Sequence, residues 1–253
     1  MSATLPTLLL PLAAFAAGLV DAVAGGGGLV SLPALLAAGL PPHVALGTNK
    51  GQAVFGAIAS AISYARRGQI DRDRAPLAFG AGFVGSWLGG LGLLAVPLAP
   101  LRVIVIVLLL GAAAIVLCRR RVQSHPRITS GGVGRAVLVG VALVIGAYDG
   151  FFGPGTGTLL VIAFATLFGD SLVRASGNAK VVNLASNLAA VILFASRGTV
   201  LGRVALPMAA ANALGAALGA HLAIKNGDRV VRIAVVVVVI AVVGKLAWDL
   251  IQS

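Results

Sequence analysis

Residues 146–158 read Gly-Ala-Tyr-Asp-Gly-Phe-Phe-Gly-Pro-Gly-Thr-Gly-Thr and interrupt an apolar run otherwise long enough to cross a bilayer. A helix does not continue through such a stretch, because glycine is entropically costly in a helix and proline removes a donor. In hydrocarbon, broken backbone is tolerated only where protein buries it or where it lines a cavity. The same break stands near the start of the chain, at Asp21-Ala-Val-Ala-Gly25-Gly26-Gly27-Gly28, pairing Asp21 with Asp149 and Gly25 with Gly153. Two such breaks point to a helical membrane fold with a site, or a very tight helix crossing, where they lie.

The rest of the chain fits that frame. Charged residues are 10% of the 253, against roughly 25% in a soluble domain, and mean hydropathy is +1.04. We expect an all-α polytopic membrane protein of about eight transmembrane helices, in two homologous four-helix repeats at 1–125 and 126–253. The first helix of each repeat is broken at a Gly-rich loop. Leu5–Leu40 and Val133–Phe168 are the broken or re-entrant elements. Ala45–Ala65, Pro76–Val96 and Leu101–Cys118 follow the first; Ala175–Ser196, Val204–Ile224 and Val230–Leu250 follow the second. An offset of 130 links Lys50 with Lys180, Arg67 with Arg197, Gly68 with Gly198, Gly85 with Gly215 and Gly89 with Gly219, whereas Asp21 and Asp149 differ by 128. Internal duplication with paired broken helices is a transporter signature and places the site at the repeat interface.

Basic residues exceed acidic ones by 19 to 7. In a membrane protein this reads as topology, since Lys and Arg mark cytoplasmic loops. Eight consecutive spans with the N-terminus inside would put Arg66, Arg67, Arg197 and Arg203 together on the cytoplasmic side; broken elements that cross twice would instead invert the repeats. There is no soluble basic face for nucleic acid. A single cysteine, Cys118, and scattered His43, His125 and His221 give no metal, cofactor or Cys/His catalytic set. No enzyme chemistry is expected.

Lys50 and Lys180 carry the chemistry. A lysine at mid-bilayer costs roughly 2.5–3.5 kcal/mol on insertion scales, and intramembrane charge is functional by default. The alternatives are snorkelling from a helix start or a structural ion pair with Asp21 or Asp149. Two lysines meeting between the repeats would attract an anion. The breaks add backbone N–H groups and positive dipole ends at helix N-termini, which suit anions, with Gly25, Gly26, Gly27, Gly153 and Gly155 permitting close approach. Thr156 and Thr158 add hydroxyl donors, and Asn49, Asn178, Asn183 and Asn187 add amides. Asp21 and Asp149 serve either as coupling groups or as caps of the Gly-loop N–H groups.

These motifs resemble the sulfite exporter TauE/SafE family, also called the toluene-sulfonate uptake permease family. The resemblance rests on Gly18-Leu-Val-Asp21 with Gly25–Gly28 and Pro33, on Ala45-Leu-Gly-Thr-Asn-Lys50, on Tyr64 with Gly68, and on Tyr148-Asp149-Gly150-Phe-Phe-Gly153-Pro-Gly155-Thr-Gly157. It covers essentially the whole chain. Asn49 stands where many members carry Ser. The resemblance implies a multi-pass bacterial inner-membrane transporter for small sulfur-containing anions such as sulfite or organosulfonates. Export is expected because, with the cell interior negative, an exported charge gains about 2.3 kcal/mol per 100 mV; the surroundings are the lipid bilayer, with room for a homo-oligomer. An anion channel of the same architecture is the alternative.

Overall fold

A computed structural model describes residues 4–97 and 132–226, with scattered positions between 100 and 111. The spans expected at Leu101–Cys118 and Val230–Leu250 lie outside the described residues, save those scattered positions of the first. The described residues form helices: α1 (Thr4–Ala24), α2 (Gly28–Ala37), α3 (Pro42–Arg66), α4 (Ala75–Ala95), α5 (Gly132–Phe151), α6 (Thr156–Leu167), α7 (Leu172–Ser196) and α8 (Gly202–Asn226). Of these, α4, α5, α7 and α8 are long and apolar enough to cross a membrane. The more polar α3, at 25 residues, is about 38 Å long, but its buried face carries Thr48, Asn49, Lys50, Gln52 and Ser60.

Helix ends are set by local chemistry. Pro42 opens α3 where a missing N–H costs nothing, and Ser171 caps α7 by accepting from the Arg174 N–H. Both long polar helices stop at an Arg-Gly pair. Gly68 and Gly198 each take φ +67, and the following N–H reaches back to a carbonyl five residues earlier, Gln69 to Tyr64 and Thr199 to Phe194, at 3.0 Å each. This is the Schellman stop, which needs a left-handed residue. The 130-residue offset thus marks matching helix ends.

Glycines set the helix crossings. A methyl on Gly85 or Gly89 of α4 would run into the carbonyls of Leu143 or Ala147 on α5, and one on Gly215 or Gly219 of α8 into those of Phe15 or Leu19 on α1. Such small-residue faces let helices approach closely in lipid. The order of these contacts gives direction: α4 and α5 run alike, as do α1 and α8. Gly51 of α3 meets Val200 and Ala205, and Gly56 meets Asn212 and Ala216, so α3 runs with α8; Gly82 and Gly90 meet Val182 and Leu193, so α7 runs with α4. Gly47 abuts Thr199 while Gly177 abuts Gln69, so α3 and α7 oppose each other.

Because α1 and α3 run the same way, α2 between them must double back; α6 does the same between α5 and α7. The broken elements are therefore re-entrant pairs. Each returning helix, of 10 and 12 residues, covers only about 15–18 Å. Leu160, Val161 and Phe164 of α6 share one apolar cluster with Leu138 and Ala142 of α5. The doubling back is the second of the two arrangements expected, and it sets which charges share an end. Arg66, Arg67, Arg72, Arg74, Arg135, Arg174 and Lys225 gather at one end of the helices, with Arg197 and Arg203 at the other. A chain of eight simple crossings would have put Arg66 and Arg197 together.

Candidate functional site

The two breaks meet. Gly25, at φ +76, packs its Cα against Gly157, and a side chain on either would strike the other's backbone. The carbonyls left over at the end of α1 are satisfied from other elements. The Tyr64 hydroxyl donates to Ala22 O at 2.9 Å, Ser176 Oγ to Val23 O at 3.3 Å, and Thr158 Oγ1 to Ala24 O at 2.8 Å. The Thr158 N–H donates to Gly25 O at 3.0 Å. At the second break Tyr148 donates to Pro154 O at 2.8 Å and Thr156 Oγ1 to Gly153 O at 2.6 Å. The hydroxyl donors expected to face an anion are thus spent on holding the loops.

Beside this crossing lies a cleft of about 410 Å³, its open mouth included. It is lined by Asp21, Gly25, Gly27, Gly28 and Ser31 from the first break and α2, and by Asn49, Lys50, Gln52 and Ala53 from α3. Asp149, Gly153 and Gly157 come from the second break, Asn183 and Asn187 from α7, and Asn212 from α8. Among the expected site residues, Lys50, Asn49, Gly25, Gly27, Gly153, Asn183, Asp21 and Asp149 come together here. Gly26, Gly155, Thr156, Lys180 and Asn178 are not on its wall. Gly155 turns the chain into α6 at φ +84.

Asn178 lies at the charged end. Its Nδ2 donates to Asp170 Oδ2 at 2.7 Å, and its Oδ1 accepts the Asp71 N–H at 2.8 Å. Arg74 joins both carboxylates, at 2.9 Å to Asp71 and 2.8 Å to Asp170, with its guanidinium 5.2 Å from the Phe168 ring centre. Arg174 adds a contact of 3.3 Å to Asp71. The corresponding positions at the opposite end are uncharged: there Leu201 N–H donates to Thr48 Oγ1 at 3.0 Å.

The lysines do not stand free. Lys50 Nζ lies 2.7 Å from Asp149 Oδ1 and Lys180 Nζ 2.6 Å from Asp21 Oδ2. Each pair joins one break to the helix that follows the other. Two cations face two carboxylates, so the expected excess of positive charge is cancelled. Asp149 also accepts from the Ser186 hydroxyl, while Ser86 donates to Ser186 O at 2.6 Å. Asp21 accepts the Gly27 N–H at a long 3.4 Å, as a cap of the Gly loop would.

Sequence reasoning missed Ser31 and Asn212 as wall residues and Ser186 as a partner of Asp149. Gln52 is a further wall residue. Ser31 Oγ and Gln52 Nε2 both donate to Asn49 Oδ1, at 2.6 and 3.0 Å. Gln52 Oε1 is buried and finds no hydrogen-bond partner among the described residues.

The family model for the sulfite exporter TauE/SafE matches residues 10–246. The chain belongs to the TauE/SafE family. It is 37% identical over 241 residues to the probable membrane transporter protein ORF9 of Sinorhizobium sp., covering 94% of this chain and 90% of that one. It is 36% identical to a probable membrane transporter protein of Haemophilus influenzae, over 93% and 92% of the two chains. It is also 36% identical to the probable membrane transporter protein YfcA of Escherichia coli K12, over 93% and 87%. No solved structure matches the chain. As a TauE/SafE protein with several long apolar helices, it is a multi-pass membrane transporter.

Proposed function

We propose that this transporter carries small sulfur-containing anions such as sulfite or organosulfonates across the bacterial inner membrane, outward, through the cleft between the two re-entrant breaks. The observation that carries the reading is the cleft itself. In a chain this apolar, Lys50 and a wall of amide side chains converge where two broken helices cross. The 130-residue offset, the matching helix stops and the opposed directions of α3 and α7 support two inverted repeats with the cleft at their interface. The basic end, carrying Arg66, Arg67 and Arg74, is then cytoplasmic by the positive-inside rule. Direction follows from the potential: each exported negative charge gains about 2.3 kcal/mol per 100 mV. A carrier of this kind needs no catalytic group and performs no covalent chemistry.

The test is flux of radiolabelled sulfite into liposomes holding the purified protein, with sulfoacetate, sulfate and chloride as competitors. Saturable sulfite flux, lost in Lys50→Ala with folding intact, is expected. Preference for chloride or sulfate would retain the anion cleft and reject the sulfur-anion class. Discrete unitary currents in a planar bilayer would make the protein a channel.

A further inference from the structure

The charge balance of the cleft decides what must enter with an anion. Lys50 is the lysine on the wall, and its ammonium is already held by Asp149 at 2.7 Å. The side chains of this pair are 4% and 2% exposed. The titratable groups around Asp149 are few: Lys50 from α3, Lys180 from α7 closed on Asp21 from α1, and Tyr148 beside it, whose hydroxyl is turned to Pro154 O. From α7 it accepts from the Ser186 hydroxyl, and Ser86 of α4 donates to the Ser186 carbonyl. An anion that takes Lys50 leaves the Asp149 carboxylate buried, without its cation and next to a new negative charge. Two negative charges then share one buried site with no cation between them, and an uncompensated buried charge is costly.

Resting on the anion-transporter reading, we infer that the cleft binds its anion together with one proton, which Asp149 carries. A hydronium ion in the aqueous phase gives its proton to Asp149; the Lys50 ammonium keeps all of its own and turns its N–H donors to the anion. No covalent bond to the anion forms. On release Lys50 returns to Asp149 and the proton goes back to water. A dianion then crosses with a net single negative charge, so the potential still drives it outward, while a monoanion crosses without net charge. Asp21 does not share this role, because its lysine is off the cleft wall and stays paired when the cleft fills. The return of the Lys50–Asp149 pair also explains how an empty carrier keeps two buried charges at tolerable cost.

The experiment is isothermal titration calorimetry of the full-length protein in detergent, run at one pH in buffers of different ionisation enthalpy. The probes are sulfite and methanesulfonate, the latter titrating nowhere between pH 5 and 9. Uptake of about one proton per methanesulfonate is expected, with apparent affinity falling about tenfold for each unit rise in pH. Asp149→Asn, which mimics the protonated acid, is expected to bind without proton uptake and with a flat pH profile, while Asp71→Asn leaves the proton count as in the wild type. Methanesulfonate binding with no proton uptake overturns the inference and leaves the anion site standing. Proton uptake that persists in Asp149→Asn, or vanishes in Asp21→Asn, overturns the choice of carboxyl. Should Asp149→Asn not fold, the wild-type proton count and Asp21→Asn decide by themselves. Failure of either anion to bind the wild type rejects the anion site, and the inference with it.

Discussion

Lys50 and Lys180 hold the same place in their helices, yet their surroundings differ. Lys50 stands on the wall of the cleft with a fully buried partner, Asp149, that has a second donor in Ser186. Lys180 is 1% exposed, off the wall, and bound to an aspartate that is 23% exposed and does reach the cleft. The residues 130 positions apart explain the contrast. Ser186 corresponds to Gly56, and Gly56 is instead covered by the Asn212 side chain, whose Nδ2 donates to Ala14 O at 3.0 Å. Asn183 and Asn187 correspond to Ala53 and Ala57. Matching helical positions thus place one lysine on the cleft wall and bury the other behind its aspartate, and only the first lysine is placed to exchange its partner for a ligand.

The comparison breaks most directly by removing each lysine. We predict that Lys50→Ala reduces anion flux by about 10- to 100-fold while the protein remains folded by size exclusion, because one charged hydrogen bond to substrate is worth roughly 1.5–3 kcal/mol. Lys180→Ala is predicted to act on stability, by roughly 3–5 kcal/mol, the cost of leaving one member of a buried pair alone. Thermal unfolding in detergent and liposome flux, measured on both variants, separate the two. Equal flux loss with equal stability in the two variants would mean that the pairs are equivalent.

The next effect lies at the turn beside Lys50. Gly153 takes φ +99, and a methyl there would stand 2.9 Å from Lys50 Nζ. Gly153→Ala is predicted to lower flux about tenfold, through a left-handed strain of about 1–2 kcal/mol and a displaced ammonium. Gly68→Ala has the same left-handed backbone but nothing within 4 Å, so it should cost stability alone. Flux that falls equally in both would locate the defect in helix stopping rather than in the cleft. A smaller effect is expected at Gln52, a wall residue whose Nε2 donates to Asn49 Oδ1: Gln52→Leu should raise KM by a few-fold, and an unchanged KM would remove Gln52 from the site.

Much of this frame was legible in the sequence, because backbone rules are local. The glycine breaks, the Arg-Gly stops and the GxxxG faces each follow from one stretch of residues, and the structure uses all of them. The ion pairs stood in the sequence as an alternative to an anion site, but their crosswise pattern did not, since it depends on α2 and α6 doubling back. Asn178 was misplaced for a related reason. It precedes Lys180 by two positions, so it points about 200° around the helix from it, toward Asp170 and the loop at Asp71. Asn212 could not be found from spacing, because it reaches the cleft through a crossing between helices distant in sequence.

The smallest effect belongs to the charged rim, and its value is as a control on the cleft. Burial of Asp71 pushes its carboxyl up, but the Arg74 N–H and guanidinium, with the Asp73 N–H, pull it further down, below the ordinary 3.8. Arg74 is itself held above the usual arginine range: burial opposes its charge, and the Asp170 and Asp71 carboxylates more than offset this. A lowered carboxyl stabilises the fold above its ordinary value, and this is lost only as pH falls through the lowered one. A raised guanidinium stabilises below its ordinary value, and this is lost only as pH rises beyond it. The rim therefore keeps its charges throughout pH 5–9, and Asp71→Asn, at a partly exposed pair, should cost about 1 kcal/mol with no change in how flux depends on pH. Thermal unfolding and flux at pH 5, 7 and 9 check both halves of that statement. A pH profile that moves in Asp71→Asn would shift the proton-sensitive step from the Lys50–Asp149 pair to the end of the molecule where Asn178 ties Asp170 to Asp71.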